Sequence, residues 1–151
     1  MSDPREAILV RLLDVAGGID PSLDRRRNEA DLADTALPAV VLLDGDETAD
    51  ESDPEGRPPL APRRVRMTPE VQFRVQAKAR DIGPQLNAWR AKLIAAVLAD
   101  ATLAALTVNG RSIRYLGSAT VTERGRSMEG GIGLAFAFTY LMRPDELDAT
   151  T

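Results

Sequence analysis

The chain has 151 residues and a net charge of −4, with 44% hydrophobic and only 4% aromatic residues. That length fits one domain around one core, and the core must be built mainly from Leu, Val, Ile and Ala. Cysteine and histidine are both absent, which excludes disulfides, thiolate metal sites and any triad or general base that needs an imidazole.

The opening Met1-Ser2-Asp3-Pro4-Arg5-Glu6 reads as a helix start rather than a basic signal peptide. Asp3 is placed as N-cap, Pro4 as the first helical residue and Glu6 as the partner of a capping box. Ile8, Leu9, Leu12, Leu13 and Ala16 recur at helical spacing, so a helix is predicted over Pro4–Ala16, ended by Gly17-Gly18 in a left-handed cap. Asp20-Pro21 marks a turn, and Arg25-Arg26-Arg27-Asn28 reads as a short polar strand at a sheet edge. Leu37-Pro38-Ala39-Val40-Val41-Leu42-Leu43 reads as a buried strand, with Pro38 at its start or an edge. Asp44-Gly45-Asp46 supplies the turn chemistry that closes it.

Residues 44–66 break the pattern. Asp44 to Glu55 holds seven acidic residues and no basic one, and Pro54, Pro58, Pro59 and Pro62 follow among Arg57, Arg63, Arg64 and Arg66. Such a segment buries too little apolar surface to offset its ordering entropy, and it reads as a long charged mobile loop. Val71, Phe73, Val75 and Ala77 then alternate with Gln72, Arg74, Gln76 and Lys78, the pattern of a strand with one buried face. Ile82-Gly83-Pro84 predicts a turn into a second helix over Pro84–Ala99, with Leu86, Trp89, Leu93, Ala96 and Val97 facing the core, and a helical turn near Thr102–Leu106. After the Asn109-Gly110 turn, Ile113, Tyr115, Ala119 and Val121 alternate with polar residues. The last strand, Gly131–Met142, has large residues at its even positions and small or apolar ones at its odd positions. The connection from Glu123 to Gly130, with Gly125 and Gly130, makes these two strands a long hairpin. Hairpins dominate over βαβ units, so the fold class is α+β: a mostly antiparallel sheet with two main helices packed on one face, in a single domain.

Few features offer chemistry. The acidic run fails as an EF-hand loop at Thr48 and Ala49, where the fifth and sixth positions need Asp and Gly. A carboxylate enzyme would have to use Asp44, Asp46 or Glu70 with a divalent metal. Ser118 and Ser127 have no histidine partner, and Gly125, Gly130 and Gly131 precede no helix that would hold a phosphate. Trp89 reads as core. No catalytic, metal-binding or cofactor-binding residue is assigned, and no cofactor is implied. The Arg25-Arg26-Arg27 and Arg63, Arg64, Arg66 groups suit phosphates, acidic surfaces of neighbouring subunits (including the acidic segment of a second copy) or plain solvent. The net charge argues against a general nucleic-acid binder, and no stretch of about eighteen apolar residues exists to span a membrane. The last strand is apolar on both faces. One face packs on the helices; the other, with Gly133, Ala135, Ala137 and Leu141, is left for a subunit interface or for cover by the loop or first helix.

Taken in order, Arg5-Glu6-Ala7-Ile8-Leu9, Arg27-Asn28, Leu37 to Gly45, Met67-Thr68-Pro69, Leu86-Asn87-Ala88-Trp89-Arg90 and Gly131 to Tyr140 resemble the tail terminator (tail completion, minor tail protein U-like) proteins of long-tailed bacteriophages and related gene transfer particles. The resemblance covers most of the chain apart from the acidic segment and the C-terminal tail, and its motifs are diffuse. It implies a virion structural protein and no active site. Such proteins form a homohexameric ring that caps the tail tube, ends its polymerisation and receives the head–tail connector or stopper protein. The implied partners are thus further copies of the chain, the tail tube protein and the connector, with no membrane and no specific nucleic acid. The implied place is the head–tail junction of a virion assembled in a bacterial cytoplasm. Another head–tail joining or neck protein is the nearest alternative.

Overall fold

A computed structural model describes residues 3–29, 37–123 and 129–147. Among them are three α-helices and seven strands in one mostly antiparallel sheet, the α+β class that the patterning implies. The elements run α1 (Pro4–Gly17), β1 (Asp24–Arg27), β2 (Ala39–Leu43), β3 (Glu47–Ala49), β4 (Arg63–Met67), β5 (Glu70–Gln76), α2 (Ala79–Ala99), α3 (Ala101–Leu106), β6 (Ile113–Glu123) and β7 (Glu129–Met142). No described helix is long and apolar enough to cross a membrane.

The seven strands lie in five files. β4 and β5 both pair with β7 in one unbroken register, from Arg63 opposite Met142 to Gln76 opposite Glu129, with Thr68-Pro69 as a brief interruption. β2 and β3 run along the other side of β5 and β4. Three residues lie between Leu43 and Glu47 where two lie between their partners Glu70 and Met67, so the chain bulges at Asp44-Gly45-Asp46. Gly45 has φ +72°, and a Cβ there would strike the Thr68 carbonyl, so this bulge requires glycine. β1 is the outermost file on one side and pairs parallel with β2; β6 is outermost on the other and pairs with β7. The β6–β7 hairpin is present as expected, although its connecting residues, Gly125 and Ser127 included, lie outside the described ones.

This arrangement corrects the expectation of a loop over 44–66. Both ends of that segment lie in strands of the sheet, β3 and β4, and only residues 50–62 form the tip of this hairpin arm. The period-two signal was present in Arg64-Val65-Arg66-Met67, where Val65 and Met67 are buried, but the arginines and flanking prolines masked it. α2 also starts five residues before Pro84. The proline sits in its second turn, and Ile82 joins Leu86, Trp89, Leu93 and Val97 on the buried stripe. At α1 the Asp3 carboxylate accepts from the Arg5 N–H at 3.0 Å, as an N-cap should. Glu6 does not close a capping box; it reaches Arg27 instead. Gly18 ends α1 with φ −78° rather than in the left-handed region. The adjoining glycine has another cause, because the Arg25 side chain lies where a Cβ of Gly17 would be.

The helices cover one face of the sheet, α1 over β1, β2 and β7, and α2 over β5, β6 and β7. Between them lies the core: Ile8, Leu9 and Leu12 of α1, Trp89 and Leu93 of α2, and the sheet residues Leu42, Phe73, Leu134, Phe136 and Phe138. Trp89 is buried with its ring 5.5 Å from Phe73, as a core residue. β7 stands at the centre of this packing. Ile132, Leu134, Phe136, Phe138 and Tyr140 all point to the helices and are buried.

Candidate assembly surface

Alternation fixes what the opposite face of the sheet carries. Across β7 it presents Gly131, Gly133, Ala135, Ala137, Thr139 and Leu141. Registered beside them are Arg74, Gln72, Glu70, Arg66 and Arg64 on the β4–β5 side and Arg114 on β6. No described helix packs on this face. A furrow of small side chains therefore runs beside a row of long polar ones on β4–β5, with Arg114 the one long polar neighbour on the described part of β6, where Gly117 and Ala119 continue the small strip. Small residues let another backbone or side chain approach closely, and long polar stems cover part of what they flank.

The charge along the furrow is mixed, with Arg74 opposite Gly131 at the end nearest the β6–β7 connection. Toward the β6–β7 connection, the Glu70 carboxylate lies across Gly133, in the space a Cβ would fill. Toward the arm, Arg64, Arg66 and Arg114 stand opposite Leu141, Thr139 and Ala137. Arg64 donates from its guanidinium to the Ser52 hydroxyl at 3.0 Å, and its Nε is buried without a partner. Arg66 and Arg114 make no hydrogen bond or ion pair among the described residues; Arg66 attracts Asp50 only through space.

Of the residues singled out from the sequence, Gly133, Ala135 and Leu141 lie on this open face, Leu141 being 36% exposed. Ala137 shares their row but is only 4% exposed, so the chain itself covers it, contrary to the expectation that it is left over. Arg64 and Arg66 belong to the same face. Arg63 points the other way in the alternation and binds Asp53 at 2.7 Å.

The Arg25–Arg27 run is split by its strand. Arg25 and Arg27 share the helix-covered side with Val40 and Leu42, while Arg26 lies opposite them and pairs with Asp24 and Glu29. Arg25 binds Asp14 of α1 at 3.0 Å. Arg27 grips two carboxylates at once: Nε and one terminal nitrogen donate to Asp44, both at 2.9 Å, and its terminal nitrogens donate to Glu6 at 2.7 and 2.8 Å. Its hydrogen bonds hold the carboxyls of Glu6 and Asp44 below their ordinary values. These three arginines thus tie β1 to α1, to the end of β2 and to its own flanks. Of the roles open to these arginines, ion pairing is already met in part by carboxylates of the chain itself.

A second internal tie holds the arm. Tyr140 is buried on the helix side, and its hydroxyl donates to Glu47 of β3. Burial first, and then the Glu47 carboxylate, push this phenol well above its ordinary value. Beyond this tie the arm carries Glu51 and Glu55, exposed and without hydrogen bonds among the described residues, and Leu60, 65% exposed. A depression of about 480 Å³ lies within the tip, lined by acidic side chains, prolines, Arg57 and Arg63.

Among the described residues no group of three or more His, Cys, Asp or Glu is placed to hold a metal ion. Asp44, the first carboxylate of the metal alternative, is occupied by Arg27. The edges of the sheet differ in kind. β1 and β3 are short and charged, while β6 offers eleven residues paired on one side only among the described ones, with Leu116 42% exposed. Long unpaired edges invite pairing with another chain, and most proteins blunt them.

No protein-family model matches this chain, and no curated protein matches it.

Two of the surface residues had escaped the sequence reading. Arg114 was legible, because it sits between Ile113 and Tyr115 in a period-two run and so must face away from them. Leu60 was not, since nothing in a proline-rich segment marks which apolar residue stays outside.

Proposed function

We propose that this chain is a virion assembly protein of the tail-terminator type. It assembles as a ring of like copies, caps the tail tube, ends tube polymerisation and receives the head connector at the head–tail junction. The observation that carries the reading is the one-sided sheet: helices seal one face, while the other keeps the β7 furrow, and the sheet ends in the long edge of β6, unpaired on its outer side among the described residues. A lone copy leaves that surface in water, and an assembled one covers it. The polar ties support the same reading. Arg25 and Arg27 already pair inside the chain, whereas Arg66, Arg114, Glu51 and Glu55 are left for partners. Ring closure needs two different patches that meet repeatedly, and the furrow and the arm are two such patches.

The test is polymerisation of purified tail tube protein with and without this chain, read by electron microscopy. The reading requires tubes whose growth stops and whose one end bears a ring of this chain. Tubes of unchanged length with no added density at either end overturn it.

A further inference from the structure

We infer that the basic half of the sheet furrow is the seat of the acidic arm tip of a second copy of this chain. The inference rests on the assembly reading only in taking another copy as the occupant. Two unsatisfied surfaces of one chain match each other. The furrow offers Arg66 and Arg114 on either side of a strip of small residues, with Leu141 at its end. The tip offers Glu51 and Glu55, two exposed carboxylates without hydrogen bonds among the described residues, beside Leu60, the most exposed of the large apolar side chains.

The match is one of arrangement as well as sign. The other charges on the two surfaces are already engaged or elsewhere. Asp53 is paired with Arg63, Asp50 and Arg64 keep their charges but are each hydrogen-bonded to Ser52, Arg57 of the tip donates to the Pro62 carbonyl, and Arg74 lies at the far end of the strip opposite Gly131. Glu70 lies further along β7, across Gly133, and so bounds the basic half rather than neutralising it. An apolar anchor ringed by charges that match a complementary strip is the usual anatomy of a specific contact: the anchor supplies affinity, the charges register and encounter rate. The contact joins two different patches. It closes a ring when copies follow one another and a two-fold pair when two copies exchange arms.

Charge reversal tests the contact in purified protein without any tube. Two variants are made: Arg66→Glu with Arg114→Glu, and Glu51→Lys with Glu55→Lys. Native mass spectrometry and sedimentation then give the assembly state of each variant and of their mixture. Wild type self-associates, and added salt weakens it. Each variant alone has its dissociation constant raised by more than about tenfold, because like charges now meet. The mixture re-forms the wild-type assembly with the two variants alternating, since each furrow again meets a tip of opposite charge. Leu60→Asp weakens association by itself and touches only the exposed tip, so it carries the test if the sheet variant fails to fold. A monomeric wild type at high concentration overturns the inference. So does a folded variant that associates like wild type, or a mixture that stays apart. Failure here with a normal capped tube would remove this contact and leave the capping role; a normal charge-swap result with uncapped tubes would do the reverse.

Discussion

Replacing Arg27 with methionine keeps much of the side chain's volume and removes the node that joins α1, β1 and the end of β2. The node has four charge-assisted hydrogen bonds of 2.7–2.9 Å to Glu6 and Asp44. The Glu6 side chain is 52% exposed and the Asp44 side chain 24%. Screening by water puts the Glu6 half near the bottom of the range for exposed pairs and the Asp44 half near its top, for a total of about 1–2 kcal/mol at neutral pH. For a domain of this size that is a fall in melting temperature of about 3–6 °C. The pH dependence gives a second reading. Both carboxyls are held below their ordinary values of 4.5 and 3.8, chiefly by the Arg27 hydrogen bonds. A depressed folded-state value stabilises the fold at pH above the unfolded value, and that contribution disappears as pH falls through the folded one. Wild type therefore loses the node's contribution on acidification below the ordinary carboxylate range, and Arg27→Met, having little of it to lose, shows a shallower decline. Urea denaturation from neutral to acid pH measures both effects. Equal stability of the two proteins at neutral pH, with superimposable acid limbs, would refute the assignment.

Four further outcomes follow from particular contacts. Tyr140→Phe removes the hydrogen bond to Glu47 and lowers stability by about 1.5–3 kcal/mol, the cost of losing a bond to a charged group; hydrogen exchange should quicken at β3 before the core. Because burial and Glu47 raise the Tyr140 phenol, an alkaline ultraviolet titration should show its ionisation only together with unfolding, as a step absent from Tyr140→Phe. Gly45→Ala places a side chain against the Thr68 carbonyl at a positive φ, so it should cost more than the roughly 1 kcal/mol of left-handed backbone alone, seen as a lowered urea midpoint. Leu93→Ala, at a fully buried site on α2, should cost about 2–5 kcal/mol and leave the arm's own exchange pattern unchanged.

Where burial produces a clean period, the fold was legible in the sequence. The α1 stripe, the Val71–Val75 alternation and the large-small alternation of β7 each assigned an element and its buried face. Where tertiary pairing overrides local chemistry, the reading failed. β4 is rich in arginine and flanked by prolines, yet it is a strand because it continues β5 along β7 in one register. Pro84 looked like a helix start, but the helix accommodates it in its second turn. The arginine run of β1 shows the same limit for the surface. What Arg25 and Arg27 bind depends on Glu6, Asp14 and Asp44, partners brought near only by the packing of α1 and the parallel pairing of β1 with β2. The outer-face row of β7 could be read from alternation alone, but the sequence held no sign that Ala137 would be covered within the chain.

The central claim is that the open sheet face becomes covered on assembly. The chain has no cysteine, so Ala135→Cys places a single thiol in the furrow without background. Maleimide labelling is then timed on the dispersed chain and on the same chain assembled with tail tube. Labelling slowed by more than about tenfold in the assembly, as expected for a thiol shut away from reagent, is the result this account requires; equal rates in the two states would contradict it.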